Sequence, residues 1–171
     1  ESGEEFQLTA TSVINATGIF TDSVRRMVDP DQSRLLNVSQ GVHIVVDDKF
    51  LPGETALMIP ETDDGRVLFA IPWKERLVIG TTDVDMDDPE LEPEPTDKEI
   101  SYLLEHSDRY LDPSPDRTDI LSAFAGLRPL VQEQPGADTA ELSRDHTIEN
   151  HESGLITITG GKWTTFREMA E

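Results

Sequence analysis

Cysteine is absent from this 171-residue sequence, which excludes disulfides and thiolate metal sites and suits a reducing compartment without requiring one. Lysine is nearly as scarce: Lys49, Lys74, Lys98 and Lys162 stand among fourteen basic residues, the rest arginines, against thirty-five acids. The formal charge of −21 leaves no basic face for a phosphodiester backbone, so nucleic acid is excluded as a partner. The same excess implies self-repulsion at low salt, and both adaptation to a salty cytoplasm and ordinary acidity remain open readings. Long apolar runs are missing too. None approaches the roughly 20 residues that a membrane-crossing helix needs. The opening ESGEEFQL has neither a basic segment nor an apolar core, so it does not read as a signal peptide. An initiator methionine is also lacking, which suggests an excised piece.

What is present describes a globular chain of one-domain size, 36% hydrophobic and 29% charged. Phe6–Gly18 (FQLTATSVINATG) alternates, then turns small and apolar, and reads as a strand entering a buried sheet. Thr21 or Asp22 can cap a short helix with Val24, Met27 and Val28 on one face. Further strands are expected at Gly41–Val46, Ala56–Ile59, Arg66–Ile71, Arg76–Thr82 and Ile120–Leu127, the last ended by Arg128-Pro129. Asp64-Gly65 reads as a hairpin turn. The acidic, proline-punctuated run after Thr82 reads as a surface loop. Thr96 and Glu99 have capping-box spacing and open a helix with Ile100, Leu103 and Leu104 inward. A last strand is expected at Leu155–Thr159. Many strands on short turns, with few helices, predict an α+β fold with a mostly antiparallel sheet. The two outer strands, ending at Gly18 and Gly160, read as part of a different sheet from the middle ones.

In so acidic a chain the few bases are informative. Arg128, Arg144 and Lys162 each lie at the end of an apolar or strand-like segment, where a cleft can hold an anion. Arg25, Arg26, Arg109 and Arg117 lie in polar surroundings and read as solvated. Taken singly, each arginine is more simply a partner for one of the many carboxylates; the set of three leans toward an anionic ligand. The turn GGKWTT (Gly160–Thr165) places free backbone N–H groups after a strand, and its glycines permit close approach of a ligand. It lacks the spacing of a Walker A loop, and a plain helix start with Thr164 or Thr165 in the first turn explains it equally well.

The ordered set VINATG (Val13–Gly18), GVHIVV (Gly41–Val46), GRVLFAIPW (Gly65–Trp73), IGTTD (Ile79–Asp83), FAGLRPL (Phe124–Leu130), SRDHTI (Ser143–Ile148) and GGKWTTFREMAE resembles the FAD-dependent glycerol-3-phosphate dehydrogenases. The resemblance implies a middle-to-late fragment: the substrate domain of a glycine-oxidase-like flavoprotein (39–153), flanked by a returning strand and helix of the FAD domain (1–38) and by an FAD-domain strand with a truncated helix (154–171). It implies oxidation of sn-glycerol 3-phosphate to dihydroxyacetone phosphate, with hydride passing to FAD and electrons on to quinone. It further implies a cytoplasmic protein in peripheral contact with the membrane through regions not contained here. The family's G-x-G-x-x-G turn and one substrate arginine are not in the sequence, so this piece alone is expected to bind FAD poorly or not at all and to be inactive. Arg128 and Arg144 would hold and polarise substrate, together with Lys162 and Thr164. Ala16, Thr17, Gly18, Gly160, Gly161, Lys162 and Thr164 would contact the cofactor. His43 would accept the C2 hydroxyl proton, since a near-neutral imidazole suits that task; on its apolar strand alone it reads more simply as a packed histidine.

An oxygen-using glycerophosphate oxidase of the same family and a non-catalytic acidic binding module are the alternatives. No metal is expected. Asp83, Asp85, Asp87 and Glu94 mimic a calcium loop but lack its glycine, and His146 and His151 are poorly spaced for zinc. The sequon at Asn15 lies in an apolar strand and is set aside.

Overall fold

The computed structural model describes residues 3, 5–60, 62, 65–132 and 145–171. In chain order the strands are β1 (Val13–Asn15), β2 (Leu36–Asp47), β3 (Leu57–Ile59), β4 (Leu68–Pro72), β5 (Arg76–Gly80), β6 (Val84–Met86), β7 (Ser122–Val131), β8 (His146–Asn150) and β9 (Leu155–Gly160). The helices are α1 (Thr21–Val28), α2 (Asp97–Asp108) and the short α3 (Phe166–Ala170). The strands form two sheets, the larger antiparallel and centred on β2. One edge of β2 pairs with β7 from Leu36–Val131 to Val45–Ser122. Its other edge meets β6 at Val38–Gln40 and β5 at His43–Asp47, with β4 and β3 beyond β5.

Strand alternation gives this sheet a dry face and an open one. Val42, Ile44 and Val46 of β2 are fully buried with Leu77 and Ile79 of β5, under Leu103 of α2. Burial of a side chain the size of Leu103 contributes about 1.5–3 kcal/mol. The capping box of Thr96 and Glu99 starts α2 as its spacing predicts, with Leu103 innermost and Ile100 and Leu104 partly buried. Ser39, Gly41, His43 and Val45 alternate with the core residues and belong to the open face, together with their β7 partners Arg128, Gly126, Phe124 and Ser122. Phe69, Ile71 and Phe124 remain exposed there.

The smaller sheet, in the order β1-β9-β8, pairs β1 with β9 in parallel and β8 with β9 antiparallel. The expected separation of the outer strands from the middle ones is therefore found. β9 packs against β7, so the two sheets meet at the Val131 end of that strand.

Several boundaries differ from the sequence reading. Of Phe6–Gly18, Val13–Asn15 alone is strand, and Val13 and Ile14 are exposed, because β1 is an edge strand with β9 as its neighbour. β7 does not end at Leu127 but runs through Arg128 and Pro129 to Val131. An edge strand, paired on one side, tolerates a residue that cannot donate. Val84–Met86, read as loop, pairs with β2. On α1, Met27 and Val28 are exposed, whereas Asp22 and Arg25 are buried. Arg25, read as solvated, pairs with Asp22 at 2.7 Å and with Glu149 of β8 at 3.0 Å. At the β3–β4 turn, Thr62 N–H donates to Arg66 O at 2.8 Å and Gly65 adopts φ +78°; Asp64 lies outside the described residues.

Candidate active site

Between β5 and β6 the chain leaves the β2 edge for three residues, Thr81, Thr82 and Asp83, and the Arg128 guanidinium lies against this break. Its Nη2 donates to Thr81 Oγ1 at 2.8 Å, and its Nη1 to Thr82 O and Asp83 Oδ1, each at 3.3 Å. Ser39, directly across the ladder from Arg128, donates its hydroxyl to Asp83. The guanidinium passes over Gly41, where an added Cβ would sit 2.2 Å from Nη2. Any side chain at Gly41 would displace the arginine. Its side chain remains 29% exposed, enough to reach a ligand.

His43 lies two residues further along the same face of β2. Its ring stacks on Phe124 with centroids 5.1 Å apart and planes 7° apart, and it covers Gly80, where a Cβ would lie 2.2 Å from Cδ2. Burial first, and the positive Arg128 second, hold its pKa below the ordinary 6.5. The imidazole is accordingly neutral at pH 7. Between Phe124 and Arg128 comes Gly126, with nothing within 4 Å of where its Cβ would stand. Gly126 thus leaves space above the sheet, and a largely apolar hollow of about 450 Å³ lies on the same face, lined by Val45, Ile71, Trp73, Val78 and Phe124 and by the basic Lys74 and Arg76. A polar hollow of about 510 Å³ beside Arg25, Glu149 and His151 contains none of the expected site residues.

Parallel pairing of β1 with β9 puts the segment Ala16–Gly18 and the turn after Gly160 at the same end of the smaller sheet. Gly18, Gly160 and Gly161 all have positive φ (+59°, +77° and +73°). Gly160 is required by its own surroundings: a Cβ there would lie 2.5 Å from Asp145 O and 2.8 Å from Val131 Cγ2. That contact ties the turn to β7, three residues beyond Arg128. Ala16, Thr17, Lys162 and Thr164 are exposed, and the hydroxyl of Thr165 accepts from Lys162 N–H at 3.0 Å, as a helix start would have it. Arg144 lies outside the described residues.

Arg128 and His43 are therefore brought to one face, with the glycine turns at the sheet junction. The sequence reading missed Ser39, Gly41, Gly80 and Gly126, and assigned Thr81, Thr82 and Asp83 no role at the site. Alternation in GVH and GLR carried the signal: in each, a glycine stands two positions before a base, on the same strand face. Asn15, in the sequon, is buried and donates to Thr21 O at 3.0 Å. Among the described residues no group of three or more His, Asp or Glu is placed to hold a metal ion, and no helix is long and apolar enough to cross a membrane.

Residues 1–167 match the family model described as DAO, FAD dependent oxidoreductase. The chain belongs to this family. As an FAD-dependent oxidoreductase it is similar, at 49% identity over 99% of its length, to a probable mitochondrial glycerol-3-phosphate dehydrogenase of Caenorhabditis elegans, of which it covers 24%. A human mitochondrial glycerol-3-phosphate dehydrogenase is 46% identical over 99% of the chain and is likewise covered to 24%. Among solved structures, a glycerol-3-phosphate dehydrogenase from Bacillus halodurans complexed with FAD superposes with a TM-score of 0.80 at 34% identity, covering 94% of this chain and 30% of that one. An L-alpha-glycerophosphate oxidase from Mycoplasma pneumoniae with FAD bound, at 20% identity and TM-score 0.61 over 92% of this chain and 39% of that one, shares the fold. The chain thus spans about a quarter of the length of these curated relatives. FAD is the cofactor of the family. The open space over Gly126 and beside Gly18 fits the edge of a flat ring, whereas Asp145 O and Val131 Cγ2 fill the space beside Gly160 and Met169 Sδ that beside Gly161.

Proposed function

We propose that this chain supplies the substrate-facing wall of a flavoenzyme that oxidises sn-glycerol 3-phosphate at C2 to dihydroxyacetone phosphate and passes the electrons to quinone. Residues 39–153 carry its substrate domain, apart from β8, which joins β1 and β9 in the smaller sheet, and residues 1–38 and 154–171 belong to the FAD domain. The observation that carries the reading is the pairing, on one sheet face, of a partly exposed arginine with a half-buried histidine over a floor of glycines. Similarity to glycerol-3-phosphate dehydrogenases along nearly the whole chain supports it.

Bound FAD supplies the two-electron acceptor for the C2 hydride. Arg128 attracts the anionic substrate and polarises its oxygen, aided by Arg144 and Lys162. His43 takes the proton from the C2 hydroxyl as the carbonyl forms, which its neutral state at pH 7 permits. Gly160, Gly161, Lys162 and Thr164 from one turn, and Ala16, Thr17 and Gly18 from the other, would line the ring of bound FAD.

The test uses the full-length protein loaded with FAD. Anaerobic addition of sn-glycerol 3-phosphate should bleach the flavin absorbance and yield dihydroxyacetone phosphate, whereas glycerol should not. Failure to bleach removes the reading. Stoichiometric hydrogen peroxide in air would replace quinone by oxygen as acceptor.

Gly41→Ala probes the site more locally. The atoms that the new methyl meets are the far end of Arg128, so the guanidinium must yield rather than the backbone. KM for glycerol 3-phosphate should rise roughly tenfold or more through this misplacement, while the melting temperature stays close to that of the unsubstituted protein. Unchanged kinetics would show that Arg128 need not lie over Gly41.

A further inference from the structure

We infer that Glu99, on the far side of the sheet, is a positioning residue for the Arg128 site and acts through Thr82; this rests on the glycerol 3-phosphate reading above.

The interruption in the β2 edge is where the two faces of the sheet communicate. β5 pairs as far as His43 and β6 as far as Gln40, leaving Gly41 and Val42 without a strand on that side. The Val42 N–H is satisfied by a side chain instead: it donates to Thr82 Oγ1 at 2.9 Å. A hydroxyl has one proton, and that of Thr82 goes to Glu99 Oε1 at 2.8 Å. The Glu99 carboxylate also accepts from Gln40 Nε2 at 2.9 Å, Thr96 N–H at 3.1 Å and Thr96 Oγ1 at 2.7 Å. Glu99, Gln40 and Thr82 are 3%, 2% and 1% exposed.

These roles allow one arrangement only. Burial opposes ionisation of Glu99, but the bonds from Thr96, Thr82 and Gln40 outweigh it and lower its pKa. An ionised carboxylate is an acceptor alone, so each of its neighbours must donate. A capping box would need only the contacts to Thr96; Gln40 and Thr82 are additional and come from the sheet. Thr82 presents its hydroxyl to Glu99 and its carbonyl to Arg128 Nη1. The buried carboxylate therefore fixes the peptide that, with Thr81 and Asp83 on either side, orients the guanidinium.

The test compares variants of the full-length, FAD-loaded protein, reading the Kd of dihydroxyacetone phosphate from flavin spectral change and folding from thermal denaturation. Glu99→Gln puts an amide N–H against a ring of donors, and Thr82→Val removes the hydroxyl at nearly constant shape. Both should weaken binding roughly ten- to a hundredfold, as loss of outer support and small misplacements do. Thr82→Ser, which keeps the hydroxyl, should bind almost as the parent does. Leu103→Ala, which loosens α2 without touching the network, should lower the melting temperature and leave Kd in place. Should Glu99→Gln not fold, Thr82→Val and Thr82→Ser decide the matter between them. Parental binding by Thr82→Val overturns the inference, as does an equal loss in Leu103→Ala. If Arg128→Ala itself binds normally, the reading of the site fails and takes this inference with it; if Arg128→Ala alone is impaired, only this inference fails.

Discussion

Arg128→Ala in the full-length protein is expected to lower kcat/KM for glycerol 3-phosphate by roughly 30- to 3,000-fold, the range for removing one charge from a desolvated, hydrogen-bonded pair. The structure gives two reasons to expect a large effect. The guanidinium is held by Thr81, the Thr82 carbonyl and Asp83, so little of its freedom remains to be lost when a ligand binds. It is also one of only fourteen basic residues in a chain of net charge −21. Arg128→Lys should recover little, because one ammonium cannot serve those three partners and a substrate together. Steady-state kinetics with the purified enzyme measure both. A ratio within twofold of the parent would remove Arg128 from the site.

His43→Gln should reduce kcat by roughly a hundred- to ten-thousandfold, the usual contribution of a positioned general base. The pH dependence supplies the finer test. Burial, and then Arg128, lower the imidazole pKa from 6.5, so the acid limb of kcat/KM should lie below pH 6.5 and vanish in His43→Gln. Arg128→Ala removes the charge and should move that limb upward, toward the ordinary value. For stability the sign is the reverse of a salt-bridged histidine. The unfolded chain binds the proton more readily than the native one, so His43 contributes nothing above about pH 6.5 and destabilises the fold as pH falls below it. An acid limb at or above 6.5 in the parent enzyme would contradict a neutral His43 in the site.

Much of this architecture was legible in local chemistry. The Thr96–Glu99 spacing announced α2, because a capping box needs only four consecutive residues. GVHIVV marked a strand by its β-branched run, and the apolar Leu155–Thr159 run marked another. The limits of strands were less visible. Arg128-Pro129 looks like a stop, yet β7 passes through it, since pairing on one side alone leaves a proline harmless. Arg25 looked solvated because its partners, Asp22 and Glu149, include one on a strand far along the chain.

Local sequence was enough to set the kind of molecule: an acidic, cysteine-free α+β chain with a histidine in one apolar strand and an arginine at the end of another. Those features follow from residue type and short-range periodicity, which need no partner. Only the tertiary structure decided that His43 and Arg128 share a face and that Gly41, Gly80 and Gly126 are the floor beneath them. It alone placed Glu99 behind that floor. Register across a sheet is set by pairing between distant segments, and one residue of slip would send every side chain to the opposite face.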